Sequence, residues 1–171
     1  MKFLQALVII TASVILFSCK KGTLLNPDTS LEITIKDNAT SAIVPGATIR
    51  LFSNEDDLMN ERNAVDVKTT SSTGVVKFTG LKSIRYYFSA ESGCKSNAFL
   101  SYSTPVALAS DKNNTVTAKV QGIGLLTFKN TSSNPYRVYI NGAPVYDQSG
   151  NTTETIYFPA GAVTIRVLQL S

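Results

Sequence analysis

Few residues in this chain could do chemistry, and their types narrow it further. There are two cysteines, Cys19 and Cys94, and no histidine in 171 residues. Without histidine there is no Ser-His-Asp triad, no Cys-His dyad and no common transition-metal ligand set. Cys94, in "ESGCKSN", has no neighbouring base to make it a nucleophile and reads as a spare thiol. The acidic stretch Asn54 to Asp57, in "SNEDD", raises the question of calcium. Hard cations take six or more oxygens from several positions, and consecutive residues point different ways, so a solvated acidic loop is expected there. Seven tyrosines remain. Exposed tyrosines can stack on sugars or pack on a protein, and Tyr139 and Tyr146 are the candidate platform. Tyr139 is opposite in phase to Val138 and Ile140, so it is expected outside. The rest ought to divide between core and surface.

The formal charge is +4, from 16 basic and 12 acidic residues. The cations are scattered, with no stripe interleaved with aromatics, which argues against nucleic acid. No Gly-rich phosphate loop and no spaced carboxylate motif is present. The expectation is a protein that is not an enzyme, with no catalytic residue, no metal and no cofactor. Two carboxylates meeting in space from distant loops would leave no mark in the sequence.

The placement of Cys19 is explained by what precedes it. Met1 and Lys2 are followed by an apolar run from Phe3 to Phe17, then Ser18 and Cys19. The run is shorter than the roughly 20 residues a spanning helix needs and has the layout of an export signal. Leu16-Phe17-Ser18-Cys19 resembles the bacterial lipobox, with Phe17 bulkier than the usual occupant. The resemblance implies a signal peptide over 1–18, cleavage between Ser18 and Cys19, and a diacylglycerol on the Cys19 thiol. It also implies a further acyl chain, such as palmitate, on the new amine. Two or more chains anchor stably where one does not. The alternative is an ordinary cleaved signal with an incidental cysteine. Lys20 stands where an inner-membrane retention signal would carry Asp, so the outer membrane is expected. Lys20-Lys21-Gly22 lacks the acidic run of surface-exported lipoproteins, which favours the periplasmic face over the cell surface. Residues 19–30, rich in Gly, Pro, Asp and Ser toward their end, read as a tether.

From Leu31 the pattern has period two. Leu31, Ile33 and Ile35 alternate with polar residues, as do Ile49 and Leu51, Val65 and Val67, and Val76 and Phe78. Strands are also expected over Arg85–Ala90, Phe99–Leu108 and Thr115–Val120, with "TTSSTG" (69–74) as a hairpin connection and "SNEDDLMNERN" as a loop or a short helical turn. Short strands at about ten-residue spacing give an all-β sandwich or barrel. The stretches "IKDNATSAIVPGATIRLF", "TTSSTGVVKFTGL" and "YYFSAESG" resemble the carboxypeptidase regulatory-like and Cna-B-like families, which are transthyretin-like β-sandwiches. The matching positions are Asp37, Pro45, Gly46, Ala47, Ile49, Leu51, Thr70, Gly74, Phe78, Leu81 and Tyr87. Thr73 replaces the usual Asp. The resemblance covers about residues 31–121.

Residues 122–171 read as a smaller β module of four strands, around Leu126 and Phe128, Val138 and Ile140, Ile156 and Phe158, and Val163 to Val167. Asn141-Gly142 is a hairpin signal, and Pro159-Ala160-Gly161 a tight turn. "YRVYINGAPV" and "IYFPAGAVTIRV" are similar to the PEGA family of small extracytoplasmic modules. About 50 residues make little core of their own, so this module is expected to pack against the sandwich, with its last strand as an edge.

Some Cna-B-like domains form a Lys–Asn isopeptide bond beside an acid. Lys36 and Glu91 are the residues that would take part. Lys36 is out of phase with Ile33 and Ile35, and "TVTAKV" holds no Asn, so the bond is not expected. The functional expectation is a lipid-anchored envelope protein acting as a spacer or protein-interaction module, with an unidentified envelope protein as partner. The alternative is a glycan-binding lipoprotein that uses exposed tyrosines.

Overall fold

The computed structural model describes residues 28–170. The expected signal peptide, Ser18–Cys19 cleavage point and lipidation site, and most of the expected tether, lie outside the described residues. The elements in chain order are β1 (Ser30–Asp37), β2 (Thr48–Phe52), α1 (Glu55–Met59), β3 (Asp66–Thr69), β4 (Val75–Phe78), β5 (Tyr87–Ser92) and β6 (Lys95–Ser96). They are followed by β7 (Asn113–Lys129), β8 (Tyr136–Ile140), β9 (Ala143–Gln148), β10 (Thr153–Pro159) and β11 (Ile165–Gln169). The fold is an all-β sandwich, as the strand periodicity implies.

The hydrogen-bonded path β3-β2-β5-β6-β7-β1-β4 folds back on itself to make the two layers. β1 lies parallel to the first half of β7 and antiparallel to β4. The alternation in β1 and β2 sends one face inward. Leu31, Ile33, Ile35, Ile49 and Leu51 are fully buried and share a cluster with Val76, Phe78, Phe88, Ala90 and Val120. Full burial of each such side chain stabilises by about 1.5–3 kcal/mol.

β1 ends because Asp37 turns the chain. Its Oδ1 accepts from Ala39 N at 3.0 Å, Thr40 N at 2.9 Å and Thr40 Oγ1 at 3.0 Å. The Pro45-Gly46 turn follows, with Gly46 at φ 69°, a left-handed conformation that costs glycine least. Thr70, buried, ties that turn down: its Oγ1 accepts from Ala47 N and donates to Val44 O, both at 2.9 Å.

Several expectations fail here for identifiable reasons. "TTSSTG" is not a hairpin, since β3 and β4 stand at opposite ends of the path and the segment crosses between layers. Val65 and Val67 are exposed, because β3 is an edge whose other phase lies inward. Lys68 there reaches across to Lys77 O at 3.0 Å and lies over the Phe78 ring. Phe99–Leu108 forms no strand, only an isolated bridge between Ser103 and Tyr87. Pro105 has no N–H to offer a ladder, and side chains bond the backbone instead. Buried Asn97 accepts from Ala90 N at 2.8 Å and donates to Phe88 O at 3.0 Å and Ser101 O at 3.2 Å.

The boundary at 121/122 falls inside β7, a continuous strand of 17 residues. Its first half belongs to the sandwich, and its second half pairs with β10. The smaller module therefore shares a strand with the sandwich. Phe99 also packs on Phe158, with ring centroids 6.1 Å apart. Gly122 lies so close to Ala160 that a Cβ there would sit 3.1 Å from the alanine Cβ. The module has a fifth strand beyond the four expected, β9, which gives the sheet order β11-β8-β9 beneath the β7–β10 ribbon.

Candidate functional site

The smaller module has three strands under two, and its inner face is unevenly covered. Val138 pairs in register with Val167 and Tyr146, and Ile140 with Ile165 and Ala143. Val138 and Ile140 are 0% and 2% exposed, whereas Val167 and Ile165 are 51% and 47% exposed. The cover is thus over β8 and β9 and stops short of β11. Consistent with this, Phe128 of β7 packs edge-on against Tyr146 of β9, with centroids 5.9 Å apart. On its other face the β7–β10 ribbon carries an exposed cross-strand pair, Leu125 and Tyr157. In β7, even-numbered residues bond toward β10, as Ala160 N to Gly122 O shows, and Ile123 N turns the other way, to Cys94 O. Among the described residues no strand follows β6 along that second edge, so Leu125 to Lys129 form an open edge.

The two tyrosines proposed as a platform do not share a face. The Asn141-Gly142 hairpin forms as expected, with φ of 52° and 85°, the turn that matches strand twist. The return strand then carries a bulge. Tyr139 pairs with Pro144 while Val138 pairs with Tyr146, leaving Val145 as the extra residue. A bulge shifts the side-chain phase by one, so Val145 is exposed and Tyr146 turns inward. The Tyr146 hydroxyl is buried without a hydrogen-bond partner. Desolvation, and secondarily the Glu154 charge, raise its pKa. Tyr146 is therefore half-buried, with its ring turned toward Phe128, and does not share a face with Tyr139. Tyr139 does face away from Val138, but it is half-buried, with the Arg166 guanidinium 4.4 Å above its ring.

The acidic stretch is the start of α1. Asn54 caps the helix by accepting from Asp57 N at 2.8 Å. Asp57 then accepts from Asn63 at 2.9 Å, from Asn54 and from Arg62, and in that order they lower its pKa. Asp56 pairs with Arg62, and Glu55 accepts from Tyr102 Oη at 2.9 Å. The carboxylates face donors, and among the described residues no group of three potential ligands converges. Lys36 faces outward opposite Lys119, and Glu91 pairs with Arg50 at 3.2 Å. β7 does begin with two asparagines, Asn113 and Asn114, but they lie beside Ser30 and Leu31, at the far end of β1 from Lys36. Cys94 is free and exposed.

Sequence reading missed the polar end of the module's inner face. Tyr136 and Gln148 are register partners one row beyond Val138 and Tyr146. With Phe128, Ser132 and Val167 they line a cleft of about 360 Å³ at the open end of the two layers. The signal that could have found them is the hairpin itself, because a two-residue turn demands a return strand.

No family model matches the chain, and no curated protein does. Among solved structures it is similar to the group B streptococcus pilus 2b backbone protein, at 19% identity and TM-score 0.40 over 56% of this chain and 41% of that one. It is similar to a streptococcal ancillary pilin at 14% identity and TM-score 0.44, over 85% and 59% of the two chains. The shaft pilin SpaA of Lactobacillus rhamnosus GG gives 11% identity and TM-score 0.37, over 82% and 78%. The chain thus spans about two fifths and three fifths of the first two. At these identities and scores the likenesses assign it to no family.

Proposed function

We propose that this is a lipid-anchored protein of the cell envelope, non-enzymatic, in which a Cna-B-like sandwich spaces a small interaction module away from the bilayer. The anchor rests on Leu16-Phe17-Ser18-Cys19 and the export-signal layout before it. Acylated Cys19 holds the outer membrane on its periplasmic side, and residues 20–30 give reach. The Cna-B-like reading of the sandwich rests on the Asp37, Pro45-Gly46-Ala47 and Gly74 pattern.

One observation carries the interaction role: the uncovered inner face of β11, where Ile165 and Val167 are half-exposed beside fully buried register partners. Val167 borders the same cleft as Phe128 and Lys129, at the end of the open edge of β7, and each of the two stretches carries one charge, Lys129 or Arg166, and no proline to blunt it. An extended segment of an envelope protein, with alternating apolar side chains, would pair with Leu125–Lys129 and cover Val167. A photo-crosslinking residue at Val167 in intact cells is expected to give one discrete product that depends on Cys19. A residue at Glu61, exposed on the sandwich, is expected to give none. No product at Val167, or the same products at both positions, would contradict the proposal.

A further inference from the structure

The cleft at the end of the smaller module has the composition of a sugar site, and we propose that it binds a hexose ring of a carbohydrate chain; Phe128, Lys129 and Val167 border both this cleft and the surface offered to the envelope-protein segment, so the two ligands would compete. Its walls come from opposite layers. Phe128 lies on the inner phase of β7, and Tyr136 on the inner phase of β8. Sugars present apolar C–H faces to aromatic rings and hydroxyls at their edge, so an aromatic wall with an amide beside it suits both. Gln148 supplies the amide and is held rigidly. It is 5% exposed, and its Nε2 donates to Phe128 O at 2.8 Å and Thr152 O at 3.1 Å. Both amide hydrogens are spent, and the two carbonyls fix which end is nitrogen. Among the described residues no donor reaches Oε1, yet it is not among the sealed, unsatisfied atoms. Oε1 is therefore a solvent-reached acceptor on a fixed arm, suited to a sugar hydroxyl. Ser132 Oγ accepts from Asn134 N at 3.0 Å, which leaves its proton to donate. No carboxylate lines the cleft, and Lys129 is its charged lining residue, so the lining suits a hydroxylated ring and disfavours a cationic one. The volume of about 360 Å³ is at the small end for ligand sites, which run to roughly 300–1,000 Å³.

The position fits presentation outward. Ser30 sits beside Asn113 at the start of β7, and the cleft lies at Phe128–Lys129, its other end. At about 3.3 Å per residue, at most roughly 50 Å of strand separates them. A ligand would be met at the tip remote from the tether.

The test is nitrogen–proton correlation NMR of the protein without its signal peptide, titrated with maltotriose, cellotriose and chitotriose, with glycerol as the control solute. At least one trisaccharide is expected to give saturable shifts at Phe128–Ser132, Tyr136, Gln148 and Val167, with no such pattern from glycerol. Tyr136→Ala is expected to weaken binding about tenfold, or about 1.4 kcal/mol, and Tyr136→Phe to retain it. A melting curve for each variant separates lost binding from lost fold. If Tyr136→Ala does not fold, the wild-type map and Tyr136→Phe decide the matter. Shifts that do not saturate, that glycerol reproduces, or that Tyr136→Ala in its folded form leaves unchanged would overturn the proposal.

Discussion

Lys95 Nζ lies 2.7 Å from Asp37 Oδ2, joining β6 to the end of β1 across a separation of 58 residues. The same carboxylate holds the turn after β1 through Ala39 and Thr40. Lys95 most of all, and then the Thr40 donors, hold its pKa far below the ordinary value of 3.8. Asp37 thus contributes stability that is complete above the unfolded carboxyl's value, about 4, and is lost as pH falls from there toward the folded value. Thermal melts are expected to be level between about pH 7 and 5 and to fall below about pH 4. Asp37→Asn lowers the melting temperature at neutral pH and flattens that acid limb. An unchanged acid limb in Asp37→Asn would place the sensitivity elsewhere.

Tyr146 carries a buried hydroxyl with no partner. An unsatisfied buried polar group costs about 1–3 kcal/mol, and removing it recovers part of that. Tyr146→Phe is expected to raise stability by about 1 kcal/mol in urea unfolding. A destabilised variant would mean that the hydroxyl does find a partner.

Asn97 is the polar centre of the sandwich, with three hydrogen bonds to the backbone of Ala90, Phe88 and Ser101. Asn97→Ala strands these groups in the interior and is expected to cost about 3 kcal/mol. Hydrogen exchange should speed up at Ala90 N, which loses its acceptor. Protection there equal to the wild type would refute the assignment.

Gly74 sits at φ 72°, where a Cβ would meet Ile43 Cβ at 3.1 Å and both Ile35 O and Val44 N at 3.2 Å. Gly74→Ala combines a left-handed penalty of about 1–2 kcal/mol with that crowding. Gly80, at φ 68° with open space around it, is the matched control and should lose less. Equal losses in the two variants would remove the crowding argument.

The buried strands were legible where alternation was strict. Leu31, Ile33 and Ile35, and later Val76 and Phe78, face the core as their period dictates. Legibility failed where hydrogen bonding departs from the two-residue period. The Val145 bulge reverses Tyr146, and no composition signal marks a bulge. Phe99–Leu108 has strand-forming residues, yet Asn97 and Thr104 side chains take the backbone bonds a ladder would need. The candidate cleft was invisible for a related reason. Phe128, Tyr136 and Gln148 come from three strands, and the strand carrying Gln148 has its alternation broken by the bulge. The proposed lipidation site is the reverse case: it rests on four consecutive residues, and they lie outside the described ones.

Acylation of Cys19, which would hold this β protein at a membrane, is the central proposal. The direct measurement is the intact mass and N-terminal peptide of the protein recovered from detergent-solubilised envelopes of the cells that make it. The predicted result is a chain that begins at Cys19 and carries diacylglycerol on sulfur and an acyl group on the amine. A water-soluble chain with Cys19 removed, or with its thiol bare, would contradict it.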